Sequence, residues 1–256
     1  MGWRAAMATI GALVRRAGNE LLRVPGAAIP GVLAPTIFFL GLTSVFGHLN
    51  ALPGFTSGTY QSFLIPISLM QGAGFTGAAT GVNLARDIEQ GWFDRLLVSP
   101  APRSVLLAGL VISASLRSLI PATVLLTVGF SLGVSWPGLG GLAIAIVIVL
   151  GMGTLAACWG MVLALRFKSQ SAAPLMQAGM LVLILTTTAY APLALLTGWL
   201  HTAARFNPVT QVVETARQGF VGGVTWGNTW PGLLALTGLL LLLGALALRG
   251  MRRTAI

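Results

Sequence analysis

Residues 24–85, 118–165, 169–204 and 218–248 form four stretches that contain no Lys, Arg, Asp or Glu. A bilayer core about 30 Å thick requires roughly 20 apolar residues per spanning helix, so each stretch holds one or two spans. In hydrocarbon, a helix satisfies its own backbone hydrogen bonds, whereas an isolated strand does not. The pattern predicts an all-α integral membrane chain with six transmembrane helices, at about 29–47, 62–84, 105–131, 142–165, 172–196 and 231–248.

Ahead of these spans, Trp3, Met7, Ile10, Val14, Ala17 and Leu21 recur at alternating spacings of four and three. They make one stripe of an amphipathic helix within residues 1–25, with Arg4, Arg15, Asn19 and Arg23 elsewhere on its circumference. Arg16 and Glu20 are an i,i+4 pair. Such a basic helix lies along a membrane surface or packs against a partner, and Pro25 ends it. The first apolar run follows this helix and exceeds signal-peptide length, so no cleavable leader is expected. The segment from His48 to Tyr60, with Pro53, Gly54, Ser57 and Gly58, reads as an exposed loop.

The charges give these spans an orientation. With both termini inside, twelve basic residues fall near cytoplasmic span ends, and only Arg205 and Arg217 fall outside. Trp136, Trp199, Trp226 and Trp230 lie near the outer boundaries, as an aromatic belt requires. The expected location is a bacterial plasma membrane, with the chain multi-pass and both termini cytoplasmic.

Composition agrees: 55% of residues are hydrophobic, 8% are charged, and mean hydropathy is +0.88. That suits one transmembrane domain over 1–256. A net charge of +10 would suggest nucleic acid in a soluble protein, but the asymmetry across the membrane explains it here, so no nucleic-acid partner is expected. Cys158 is the lone cysteine and there are two histidines, so no metal site or nucleophilic constellation is expected. The lone lysine, in Phe167-Lys168-Ser169, lacks the glycine of a phosphate-cradling loop. The chain is therefore not expected to be an enzyme by itself. No Asp, Glu or His chain forms a proton relay within the spans, which weighs against a secondary transporter.

Segment 87–103 carries the most local information. On one helical wheel Ile88, Trp92, Phe93, Leu96 and Leu97 share a half, with Gln90, Gly91, Asp94 and Arg95 opposite. Glu89 falls on the apolar side, and Pro100 and Pro102 stop the helix. By periodicity alone this helix either rests on the lipid surface or docks on a partner.

The run from Asp87 to Arg103, DIEQGWFDRLLVSPAPR, resembles the first cytoplasmic loop of bacterial type-2 ABC exporter permeases, in particular the daunorubicin-resistance and multidrug group. The run from Asn207 to Arg217, NPVTQVVETAR, is similar to that family's Asn-Pro segment after the fifth span. With the N-terminal helix and six spans, the resemblance extends over essentially the whole chain. It implies that a short helix in 87–103 docks on an ATPase subunit, with Asp87, Glu89, Trp92, Asp94, Arg95 and Leu96 as coupling residues. It also implies an outer re-entrant helical segment over 197–230 acting as a gate, with Asn207, Pro208, Glu214 and Arg217 as its residues.

The residues have readings of their own beside this. Asn207 is a good N-cap, Pro208 suits the first helical position, and Val209, Val212, Val213, Ala216 and Phe220 make an apolar stripe. That helix either dips into the outer leaflet or lies flat on it. Arg117 sits mid-span among Ser113, Ser115 and Ser118, one turn before Pro121. A central Arg costs about 2.5–3.5 kcal/mol on insertion scales, so it should face protein or water. It serves the transport path or a subunit contact, or it snorkels or bonds carbonyls freed at the Pro121 kink. No carboxylate lies within a span, so no intramembrane acidic partner is expected for it. Ala73, Gly77 and Gly81 form a small-residue stripe in the second span. The resemblance places the second and fifth spans along the substrate path, which makes Gln71, Thr76, Thr187 and Tyr190, with Arg117, candidate pathway residues. Alternatively, such hydroxyls bond back to their own backbone.

The expectation is the membrane subunit of an ATP-driven exporter of a hydrophobic or amphipathic substrate. Its partners would be an ABC ATPase dimer, a second permease (identical or related) and membrane lipid. This chain would bind no cofactor, while ATP and Mg would sit on the ATPase. A lone secondary transporter or channel, and a membrane scaffold, are the alternatives.

Overall fold

A computed structural model describes residues 2–23, 29–47, 58–98 and 101–253. Pro25, Pro100 and the loop at 48–57 lie outside these residues, as does the Leu21 side chain. Eleven α-helices make up the described structure: α1 (Trp3–Arg23), α2 (Ile29–Phe46), α3 (Tyr60–Glu89), α4 (Trp92–Val98), α5 (Arg103–Arg117), α6 (Leu119–Ser131), α7 (Gly138–Phe167), α8 (Ala173–Leu185), α9 (Gly198–Phe206), α10 (Pro208–Val221) and α11 (Trp226–Arg253). Among the described residues, α5 and α6 taken together (Arg103–Ser131), α7 (Gly138–Phe167) and α11 (Trp226–Arg253) are long and apolar enough to cross a membrane. Gly31–Phe46 and Gln170–Leu185 are shorter apolar helices.

The fold is organised around α3. Its 30 residues extend about 45 Å at 1.5 Å per residue, enough to connect the two ends of the molecule. Gln, Ser, Thr and Gly dilute its apolar character, and it is not among the three helices that qualify as spans by composition. Residues 62–74 are buried without interruption, because α2, α6, α7, α8 and α10 pack around them. Such a helix can carry polar side chains, because protein rather than lipid surrounds it.

The small-residue stripe lets α3 and α7 touch backbone to backbone. A side chain on Gly81 would overlap Gly160, and one on Gly160 would lie 3.0 Å from the Gly81 Cα. Gly77 faces Gly153 and Ala156 in the same way. Larger residues would force the two helices apart.

Four differences from the sequence reading have physical causes. First, α1 buries Leu13 and Ala17, with Leu13 against Gly109 of α5, while Trp3 is 79% exposed and Met7 is exposed too. The inward stripe is therefore turned from the one that the apolar spacing suggests. Second, α3 continues to Glu89 and then breaks at Gly91, which has φ +70, so α4 is a separate helix of seven residues. Positive φ is accessible to glycine without the steric cost of a Cβ. Third, the expected span at 105–131, apolar and long enough to cross as one stretch Arg103–Ser131, carries a local turn at Ser118, whose hydroxyl donates to the Ser115 carbonyl at 2.6 Å. Fourth, helix α8 stops at Leu185, well short of residue 196, and the chain turns through Thr186–Thr188.

Two ends follow from the packing. The basic end gathers Arg16, Asp87, Glu89 and Gln170, with Leu165 packed near Gly250. The opposite end gathers Tyr60, Ser135, Tyr190 and Arg217, with Gly141 against Gly219. Trp136, Trp199, Trp226 and Trp230 are all exposed.

Candidate functional site

At the basic end, long-range contacts hold the start of α4. Arg16 of α1 donates through Nη2 to both carboxylate oxygens of Asp87, at 2.9 and 3.0 Å. Its guanidinium carbon also lies 3.6 Å from the centroid of the Trp92 ring, so one side chain ties α1 to the end of α3 and the start of α4. Glu20 pairs with Arg86 at 3.8 Å. The local pairing of Arg16 with Glu20 expected from their spacing is thus replaced by two crossed pairs between α1 and α3.

Glu89 does not belong to an α4 face at all. It accepts from the Gln170 backbone N–H at 2.9 Å and from its Nε2 at 2.6 Å, so it fastens the end of α3 to the turn before α8. These donors, the Gln170 side chain first, hold its carboxyl below the usual carboxylate range. That accounts for its misplaced position on the helical wheel.

Beyond Gly91, α4 divides its residues by face. Phe93 is 1% exposed and anchors the helix, while Leu96 and Leu97 are half-buried against the core. Asp94 and Arg95 are exposed, and Val98 is 86% exposed. Of the six coupling candidates, Asp87, Glu89 and Trp92 therefore make contacts within the chain. Leu96 packs beneath the helix, and only Asp94 and Arg95 face outward.

Midway along the molecule, Arg117 donates through Nη2 to the Thr80 hydroxyl of α3 at 2.8 Å. Pro121 has no N–H for the carbonyl four residues earlier, which permits the break at Ser118. The observed partner of the guanidinium is a hydroxyl on a neighbouring helix. Arg117 also shares a cavity with Glu20, so a carboxylate does approach it, contributed by α1 rather than by a span. Thr76 lines the same cavity.

The opposite end is built on Arg217, which is 3% exposed. Its Nη1 donates to Glu214 at 2.7 Å, Nη2 to the Thr188 carbonyl at 2.7 Å, and Nε to the Phe63 carbonyl at 3.1 Å. Every direction of the guanidinium fork is used, which is how a buried charge becomes tolerable. Glu214 also accepts from the Thr188 hydroxyl.

Asn207 is an N-cap, as expected: its Oδ1 accepts from the Val209 N–H at 2.9 Å, and Pro208 takes the first helical position. Its Nδ2 donates to the Leu183 carbonyl at 2.8 Å, so the same side chain also closes the end of α8. Gln71 donates to the Tyr190 hydroxyl at 2.6 Å, and Tyr60 donates to the Tyr190 carbonyl at 3.3 Å. Thr187 donates to its own helix at the Ile184 carbonyl, 2.6 Å away. The five pathway candidates thus separate: Gln71, Thr187 and Tyr190 lie toward the Arg217 end, while Thr76 and Arg117 line the cavity nearer the basic end.

Gln170 and Phe63 carry no site signal in the sequence, and Arg16 is legible there only as the local partner of Glu20. A scan for charge pairs within a helix turn misses the observed partner of Arg16, which is 71 positions away. Gln170 reaches Glu89, 81 positions away, through both its backbone N–H and its side chain, and Phe63 acts through its carbonyl and ring face.

The family described as ABC-2 type transporter matches residues 8–221. A chain named as a transport permease in Cyanophora paradoxa is 26% identical over 214 residues, covering 80% of this chain and 71% of its own length. A chain named as a doxorubicin resistance ABC transporter permease in Mycobacterium tuberculosis is 24% identical over 217 residues, covering 82% of this chain and 75% of its own.

Proposed function

Because this chain belongs to the ABC-2 type transporter family, and so is a membrane subunit of an ABC transporter, we propose that it is the permease of an exporter driven by a separate ATPase through α4. The observation that carries this reading is the division of α4. Phe93 and the Arg16–Trp92 contact fix the helix from below, and Asp94, Arg95 and Val98 stand outward as a small mixed-charge knob. A knob fixed on one side and free on the other can receive force. A helix lying on lipid would instead turn Phe93, Leu96 and Leu97 outward.

Force on α4 has a rigid route across the molecule. Asp87, Glu89 and Trp92 tie the α3–α4 junction to α1 and to the turn before α8. From there α3 runs as one helix to Phe63, whose carbonyl and ring face hold Arg217 of α10. In this reading, ATP-driven closure of an ATPase dimer carrying ATP and Mg displaces α3 relative to α10. The α9–α10 segment forms the outer gate. Asn207 and Pro208 set its start, and the Glu214–Arg217 pair is its latch. The basic end is cytoplasmic, the termini with it, and a second permease, identical or related, completes the pathway. The resistance function named for the mycobacterial relative supports an amphipathic cargo.

The test is co-purification of the tagged chain from native membranes with its cognate ATPase. Asp94→Lys and Arg95→Glu variants should insert normally and lose both the ATPase and the stimulation of its turnover. Retention of a coupled ATPase by both variants would remove α4 from the mechanism.

A further inference from the structure

A cavity of about 400 Å³ opens among α1, α2, α3, α6 and α8, with Arg117 of α5 in its lining. That volume lies in the range of small-molecule sites, about 300–1,000 Å³. The lining is divided. Polar groups come from Glu20, Thr76, Asn83, Arg86, Arg117 and Gln177, whereas Phe75, Ala79, Val82, Ile120 and Pro121 are apolar.

Two guanidiniums against one carboxylate give this lining a net charge of +1. Arg86 is already engaged, donating to Asn83 at 2.5 Å and lying 3.8 Å from Glu20. Arg117 uses Nη2 on Thr80, and its buried Nε has no hydrogen-bond partner among the described residues. The buried Oε1 of Gln177 has none either. Arg117 and Gln177 both line the cavity, and each carries a buried polar atom with no partner among the described residues, a cost relieved when a ligand draws the two side chains into the cavity and pairs them.

These requirements define a ligand class. The donor on Arg117 calls for an anionic oxygen, the acceptor on Gln177 for a hydroxyl or N–H, and the apolar wall for a hydrocarbon portion. We infer that the cavity binds an anionic amphiphile. Its charged oxygen sits on Arg117, a neighbouring hydroxyl or N–H sits on Gln177, and its apolar part lies along Phe75, Ala79 and Ile120. A free small anion would satisfy Arg117 and leave that wall unused. That the bound molecule is also the cargo rests on the transporter reading above; the binding itself does not.

The experiment titrates the purified full-length chain, in nonionic detergent, by native mass spectrometry. The probes are 1-oleoyl-lysophosphatidylglycerol, the neutral 1-monoolein with the same acyl chain, and glycerol 3-phosphate as a head without a tail. The wild type should prefer the lysophosphatidylglycerol over monoolein by about tenfold or more, as one charge-assisted contact allows, and should bind the free head far more weakly. Arg117→Gln should bring the two lipids within about twofold of each other. Ala79→Leu, which fills the cavity and leaves every charge in place, should lower affinity for the lysophosphatidylglycerol. It also keeps the inference testable if Arg117→Gln does not fold. Arg4→Gln, an exposed arginine outside the cavity, should change nothing.

Equal wild-type binding of the two lipids would overturn the inference, as would an unaltered preference in Arg117→Gln or equal binding of the free head. A loss in Arg4→Gln as large as in Arg117→Gln would reduce the effect to surface charge and overturn it too. No ATPase or nucleotide is present, so failure here leaves the docking role of α4 standing, and failure of docking leaves this result standing.

Discussion

The Arg217 guanidinium on α10 stacks 3.6 Å from the centroid of the Phe63 ring on α3, and its Nε donates to the carbonyl of that same residue at 3.1 Å. Charge, ring face and backbone meet in one contact between the central helix and the helix proposed as the outer gate. Arg217→Met would remove the guanidinium's hydrogen bonds to the Phe63 and Thr188 carbonyls and leave the Glu214 carboxylate with the Thr188 hydroxyl but without its cation. The expected cost is about 3 kcal/mol of folding stability, seen as a lower thermal midpoint of the purified chain in detergent. Arg217→Lys should restore little, because an ammonium cannot present a planar fork to partners in three directions.

At the basic end, the Arg16–Asp87 pair should couple weakly. The two side chains are 38% and 16% exposed, so solvent screens their attraction. A double-mutant cycle with Arg16→Gln and Asp87→Asn should return about 0.5–1 kcal/mol. Arg16→Gln alone should cost more than Asp87→Asn, since it also loses the Trp92 stack. Equal costs would mean that the ring contact contributes nothing.

The α3–α7 crossing should tolerate no added bulk. Gly81→Val would drive a branched side chain into the Gly160 backbone, which has no flexible end to yield. The expected result is a loss of about 3 kcal/mol or more, or failure to obtain monodisperse protein. Gly238→Val on α11, where nothing lies within 4 Å, should purify as the wild type does.

Glu89 provides a pH test. Hydrogen bonds from Gln170 lower its pKa in the folded state. Its contribution is therefore fully present above the unfolded value near 4.5 and is lost as pH falls through the lower folded value. The difference in thermal midpoint between wild type and Gln170→Ala should be constant above about pH 5 and shrink as acid protonates the carboxylate. A difference that grows on acidification would contradict this arrangement.

Much of the architecture is legible in the sequence because it depends on local properties. The apolar lengths of α7 and α11, the Asn207–Pro208 helix start and the Gly77/Gly81 contact stripe all rest on residues close together in the chain. What escapes sequence reading depends on distant partners. Glu89 looks misplaced on a wheel until Gln170, 81 positions away, is known to hold it. The break at Gly91 is invisible to hydropathy, since the apolar residues on either side suit one continuous wheel. Helix α8 ends at Leu185, where Asn207 takes up the Leu183 carbonyl of its last turn, although the apolar run continues. Leu13, rather than Trp3, marks the inner face of α1, because the surface it meets is Gly109 of α5.

The most direct measurement of the central claim is the stoichiometry and ATP hydrolysis of the complex purified through this chain, for wild type and for Asp94→Lys/Arg95→Glu. The account predicts an ATPase at equal stoichiometry with vanadate-sensitive turnover in the wild type. The double variant should insert normally but carry no bound ATPase. A chain that purifies without an ATPase and still moves substrate in liposomes would contradict it, as would a double variant with undiminished coupled turnover.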